Sequence, residues 1–206
     1  MSARTAVLAR LAAAQRTARL PTPPAAKPLV SATRSVAECG ERFARELAGL
    51  GVDGHVESSP EGVRARVSAL VEGKKVLSWD PDQLPYGLGA VLGEAARGSS
   101  PRADQAAAEI GVTGCHGAIA ETGSLAVLSG PGRSRTVSLL PPVHVAIVTP
   151  PDFCFTMGEF FAREARRIGE AACCTFITGP SRTADIELTL TLGVHGPGKV
   201  VVVVGP

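Results

Sequence analysis

Apolar residues recur along this chain with two periods, one helical and one extended. Val7, Leu8, Leu11 and Ala14 stand at helical spacing and predict a helix over 3–19. Residues 20–28 hold four prolines and predict an extended linker. Phe43, Leu47 and Leu50 share one face of a second predicted helix over 36–50, which Gly51 terminates. From there the period switches repeatedly. Residues 52–57 and 75–79 predict strands, and 60–71 and 103–109 predict helices; the glycines of 84–97 leave that stretch ambiguous. Apolar runs at 118–121 and 125–129 flank Thr122-Gly123 and predict a hairpin or tight strand connection. Strands are predicted over 136–140, 144–148 and 174–178. An amphipathic helix is predicted over 156–170, with Phe160, Phe161, Ala165 and Ile168 near one face, and another helix over 184–192. The unbroken valines at 200–204 predict a strand buried on both faces. Such alternation predicts an α/β domain with a largely parallel sheet flanked by helices. We divide the chain into an amino-terminal helix with a Pro-rich linker, 1–30, and a single α/β domain, 31–206.

Composition narrows the classes. The chain has 206 residues, 45% of them hydrophobic and 19% charged, which suits one ordered globular domain with a full core. The net charge is +2, and aromatic residues make up only 4%, which argues against a nucleic-acid surface. Arg4, Arg10, Arg16, Arg19, Lys27 and Arg34 all precede the first acidic residue, Glu38. Acid-poor, Arg-rich starts occur in organellar transit peptides; a surface helix in an Ala/Arg-rich chain is the reading we favour. No stretch is long enough for a membrane span. The five cysteines (Cys39, Cys115, Cys154, Cys173 and Cys174) are odd in number and form no C-x-x-C pair. A disulfide framework is therefore not expected, and the reducing cytoplasm is the expected compartment. No thiolate run suits an iron–sulfur cluster and no His/Cys cluster suits zinc, so no cofactor or metal is expected in this chain. No Walker loop and no dinucleotide fingerprint is present either.

Three polar, Gly-containing segments interrupt the apolar pattern and carry the candidate chemistry. In 114–125 the glycines permit close approach of a ligand, and Thr122, Gly123 and Ser124 could form an anion-binding turn. Glu121 would stand there as a base or nucleophile, or as a plain hairpin residue. In 178–187, Gly179, Pro180, Ser181, Arg182, Thr183 and Asp185 are expected to lead from a strand into a helix whose amino end can hold an anion. Arg182 would clamp a carboxylate or phosphate, with Arg133 and Arg135 as helpers. Ser181 or Thr183 would cap the helix, and Asp185 and Glu187 would complement its dipole. His195 and Gly196 lie in a third loop, and His116 and His144 have weaker claims to function. The three segments are expected to converge on one cleft at the ends of the central strands.

Four blocks follow one another in order: Ala120-Glu121-Thr122-Gly123-Ser124, Leu140-Pro141-Pro142-Val143-His144, Thr178-Gly179-Pro180-Ser181-Arg182-Thr183-Ala184-Asp185-Ile186-Glu187, and Gly193-Val194-His195-Gly196-Pro197. Together they resemble the signature of the LUD-domain family, also called the lactate utilization protein C family. The likeness spans roughly the carboxyl-terminal half, and its decamer is the most specific part. The resemblance implies a Rossmann-like sheet similar to the sugar-isomerase/CoA-transferase superfamily. It also implies a role beside two companion lactate-utilization proteins, which carry the iron–sulfur clusters, in oxidising L-lactate to pyruvate. A small carboxylate ligand is expected for this member. The alternative is an independent acyl- or CoA-transferase-like enzyme, because Glu121-Thr122-Gly123 is similar to the E-x-G nucleophile motif of CoA transferases.

Overall fold

A computed structural model describes residues 2–18, 34–184 and 190–206. The chain divides into two units, Met1–Val30 and Ser31–Pro206. The described part of the first unit is helix α1 (Ala3–Thr17), capped by the Ser2 hydroxyl, which accepts the Thr5 N–H.

The second unit opens with α2 (Val36–Leu50). Ser35 and Glu38 form a reciprocal capping box at its start, and Gly51 ends it with φ +73°. Strand β1 (Asp53–Val56), helix α3 (Pro60–Val71) and strand β2 (Val76–Ser78) follow. Ser59 caps α3 and Pro60 takes the first helical position, where its missing N–H costs nothing. The ambiguous stretch after β2 resolves into single turns and one four-residue helix, α4 (Leu88–Val91). The short helix α5 (Arg102–Ala106) precedes β3 (Ile110–Thr113), a fully buried strand that the sequence reading did not mark. Then come the hairpin strands β4 (Gly117–Ile119) and β5 (Ser124–Leu128), and β6 (Val143–Val148). The last third holds β7 (Phe153–Cys154), α6 (Met157–Glu170), β8 (Cys174–Ile177), β9 (Arg182–Ala184), β10 (Leu190–Leu192) and β11 (Lys199–Val204).

Five strands form a parallel sheet in the order β1-β11-β6-β3-β2. A second, four-stranded sheet runs β7-β4-β5-β8 and is mainly antiparallel, with β7 parallel to β4. The alternation within β6 and β11 explains the layering. Val145, Ile147, Val201 and Val203 join a core with Val63 and Val67 of α3, Leu77 and Leu88. Ala146, Val148, Val200 and Val202 join Phe43 and Leu47 of α2 with Ala118 and Leu125 of the second sheet. Ile119 and Ala126 point the other way and pack with Phe160 of α6. The layers are thus α3, the parallel sheet, α2 with the second sheet, and α6.

Two predicted elements differ. Residues 136–140 do not form a strand: Ser134 caps a tight helical turn, Arg135–Ser138, whose Val137 carbonyl crowds Gly111 of β3. The helix predicted over 184–192 is replaced at both ends, because β9 and β10 pair antiparallel, with Thr183 opposite Thr191. Residues 185–189 lie outside the described residues. The central pair of that ladder, Thr183 and Thr191, is β-branched, and β-branched residues favour a ladder over a helix.

Candidate functional site

The signature segments meet around the last turn of α2. In the hairpin turn, Thr122 Oγ1 lies 2.8 Å from Ser124 Oγ, which lies 2.7 Å from Thr178 Oγ1 at the end of β8. Gly123 has φ +66°, and a Cβ there would come 2.9 Å from Glu46 Cβ and 3.2 Å from the Glu46 carbonyl carbon. Gly179 has φ +82°, and a Cβ there would lie 3.2 Å from Leu50 Cβ. Both positions therefore require glycine on two counts, a left-handed backbone and contact with α2. Arg182 Nη2 donates to the Leu50 carbonyl at 2.5 Å, placing a cation on the carboxyl end of α2. The Arg182 side chain is otherwise exposed.

The third segment is tied to the same place. The Ser181 N–H donates to the Pro197 carbonyl at 2.8 Å, and the Gly193 N–H donates to the Ser181 carbonyl at 2.9 Å. Gly196 faces Ser181, with 3.6 Å between a built Cβ and Ser181 Cβ. His195 is exposed at the tip of this loop. Pro180 and Thr183 are half-buried, and Asp185 lies outside the described residues. Because β9 starts at Arg182, no helix begins at this turn, and the helix-dipole anion site expected there is replaced by loop and strand.

Glu121 turns away from this cluster. Its N–H donates to the Phe155 carbonyl at 3.0 Å, and its Oε1 accepts the Met157 N–H at 3.2 Å. Met157 is the first residue of α6, so the carboxylate rests on the positive end of that helix, beside the Thr156–Glu159 capping box. The signature cluster lies at the amino end of the parallel sheet, since α2 leads into β1 and the His195 loop leads into β11.

At the other end of the same hairpin, beyond the carboxyl ends of β3 and β6, lie two adjoining cavities. One of about 480 Å³ is lined by Trp79, Gln83, His116, Ser129 and Arg133, among others. The other, of about 290 Å³, reaches Gly114, Thr149 and Asp152, and the two share Asp82, Gln83 and Cys115. Open α/β sheets commonly receive ligands at this edge.

The first cavity's wall has definite chemistry. The His116 ring stands 5.6 Å from the Trp79 ring and tilted to it. Its Nδ1 accepts the Leu128 N–H at 3.3 Å, so the neutral ring carries its proton on Nε2 and donates from there. Burial, with Arg133 and Arg167 nearby, lowers the His116 pKa to about 4, so the ring is neutral at pH 7. Arg133 Nη1 donates to Gln83 Oε1 at 2.5 Å. The indole N–H of Trp79 and the Nε–H of Arg133 are buried without a partner among the described residues. Cys115 is no nucleophile here: its thiol donates to the Gly117 carbonyl at 3.0 Å, and burial raises its pKa well above the ordinary range. Asp152 Oδ2 accepts the N–H and the hydroxyl of Thr149, each at 2.7 Å, and burial raises its pKa.

Sequence reasoning named His116 and Arg133 only as secondary candidates and missed Trp79 and Gln83. It also missed Arg163, which donates to the carbonyls of Phe153 at 2.8 Å and His116 at 3.0 Å and so fixes the cavity's floor to α6. The signal was weak because β3 went unrecognised, and without it the Gly114-Cys115-His116 turn could not be placed at a strand's carboxyl end. Among the described residues no group of three His, Cys, Asp or Glu side chains could hold a metal ion, and no helix is long and apolar enough to cross a membrane.

Comparison with known proteins agrees with this architecture. A crystal structure of a DUF162 family protein from Deinococcus radiodurans superposes with a TM-score of 0.68, covering 84% of this chain and 100% of that one at 24% identity, which shows the shared fold. Lactate utilization protein C of Shouchella clausii is 36% identical over 143 residues, 64% of this chain and 62% of its own length. Lactate utilization protein C of Bacillus subtilis is 31% identical over 156 residues, 68% of this chain and 65% of its own. This chain thus spans a little under two thirds of the length of these relatives. The LUD domain profile matches residues 40–204, which takes in both sheets and all four signature blocks, and the chain accordingly belongs to the LUD domain family.

Proposed function

We propose that this protein serves lactate utilization, as a subunit that binds a small carboxylate beside two iron–sulfur companion proteins during oxidation of L-lactate to pyruvate. The observation that carries the reading is the extended similarity to proteins named lactate utilization protein C. The described residues support a binding role better than an independent redox role. The thiols of Cys115 and Cys154 are held protonated by burial. Electrons leaving lactate would pass to the companions.

The acyl-transfer alternative draws no support from the position of Glu121, whose Oε1 is engaged at the start of α6. The test is reconstitution of lactate-dependent electron-acceptor reduction from the companions with and without this chain. Lactate oxidation that needs the chain is the expected result. An equal rate without it overturns the reading, as does acyl transfer by the isolated chain that Glu121→Gln abolishes.

A further inference from the structure

We propose that the cavity between Trp79, His116 and Arg133 is a monocarboxylate site, separate from the signature cluster around α2. Its polar wall offers donors from three elements. His116 presents Nε2–H from the turn after β3, because Nδ1 is occupied by the Leu128 N–H. Arg133, which lines the cavity, places Nη1 on Gln83 and buries its Nε–H, which leaves Nη2 as the guanidinium donor for a carboxylate oxygen. Trp79, only 2% exposed, carries an indole N–H without a partner among the described residues. The buried N–H groups of Trp79 and Arg133 stand beside the cavity without acceptors among the described residues, which is costly, and a ligand in the cavity would repack the side chains that carry them.

The charge on the wall selects the kind of anion. Arg133 and Arg167 line the cavity together with Asp82 and Glu170, and Glu170 is paired with Arg166 at 3.0 Å. Arg167 is also paired with Glu164 at 3.2 Å. A wall balanced in this way tolerates a single negative charge and disfavours a dianion. Apolar surface from Trp79, Leu128 and Ala171 completes the lining and suits a short carbon skeleton. Other candidate places carry less. A cavity of about 640 Å³ beside β2 is larger, but its Lys74 is already paired with Glu109 at 3.1 Å. The Arg182 turn has its guanidinium on α2.

The inference gives the proposed carboxylate a location and rests on the lactate reading only for its choice of probes. Trp79 is the sole tryptophan, so its fluorescence and its indole N–H resonance report on this cavity alone. Titration of the purified chain with pyruvate or L-lactate should give a saturable change in both signals. Inorganic phosphate at pH 8 should bind about tenfold more weakly. Arg133→Gln should weaken pyruvate binding roughly 10- to 100-fold, Arg133→Lys should fall between it and the parent chain, and Arg182→Gln should leave binding unchanged. The parent-chain resonance shift keeps the test valid if Arg133→Gln misfolds. Absence of a saturable response to either carboxylate, equal or tighter phosphate binding, or a response lost with Arg182→Gln and kept with Arg133→Gln overturns the site. Lactate oxidation that needs the chain, without pyruvate binding here, removes the site and leaves the function; binding here without any role in oxidation does the reverse.

Discussion

At the scale of single residues, the signature motif earns its composition from backbone geometry as much as from chemistry. Gly123 shows this most sharply. Its φ of +66° is a left-handed conformation, and a side chain would meet the Glu46 backbone at 3.2 Å. Gly123→Ala is therefore expected to destabilise the domain by about 1–3 kcal/mol, from left-handed strain plus displacement of α2. Urea denaturation of the two proteins measures this; a change within a few tenths of a kcal/mol would show that α2 yields freely at this point. Ser124 and Thr178 follow the same logic, since each hydroxyl is another's partner at 2.7 Å and neither need face a ligand to be required. The A-E-T-G-S and T-G-P-S-R blocks were visible in the sequence as unusual, but what they touch was not. Their partner, the last turn of α2, lies more than seventy residues earlier than Gly123, and no local pattern links them.

At the scale of elements, α6 depends on a carboxylate from outside itself. Thr156 and Glu159 close its capping box, and Glu121 adds a second acceptor from the hairpin at 3.2 Å from the Met157 N–H. Glu121→Gln keeps an acceptor but removes the charge facing the helix dipole, so a loss of about 0.3–1 kcal/mol is expected. Glu121→Ala removes the acceptor as well and should cost about 1–3 kcal/mol. Thermal or urea unfolding of both variants checks the order; an equal loss in both would mean that the hydrogen bond contributes nothing beyond the charge. This element was legible in the sequence, because amphipathic periodicity marks a helix locally. The α2, α3 and β11 segments were legible for similar reasons. The failures have a common cause. β3 is four residues long and contains Gly111, and β9 and β10 are three residues each, so their identity comes from pairing partners and not from their own pattern. The second sheet was likewise hidden: its hairpin was foreseen, but β7 and β8 join it from distant sequence.

At the scale of the whole molecule, a buried and a half-buried histidine make stability depend on mild acid. His144 sits in the middle of the parallel sheet with no exposure, its Nε2 2.9 Å from Thr113 Oγ1 and its Nδ1 without a partner among the described residues. Burial lowers its pKa to about 4, against 6.5 for an unburied imidazole. Between these values the unfolded chain binds a proton that the folded chain refuses. The stabilisation is therefore fully present above about pH 6.5 and is lost as pH falls toward 4, by about 3 kcal/mol for His144. His116 shifts in the same direction, mainly through burial, with Arg133 and Arg167 adding to it. Asp152 acts oppositely: burial raises its pKa, which favours the folded state at low pH and fades as pH rises. Glu38, Glu61 and Glu109 have lowered pKa values, and their contributions are lost mainly below 4.5, outside the histidine window. Urea unfolding from pH 7 to pH 4.5 should thus show falling stability, and His144→Gln should flatten the curve, since the amide still reaches a hydroxyl but takes up no proton. The same slope in His144→Gln and in the parent chain would mean that the imidazole of the folded protein is protonated as readily as that of the unfolded one.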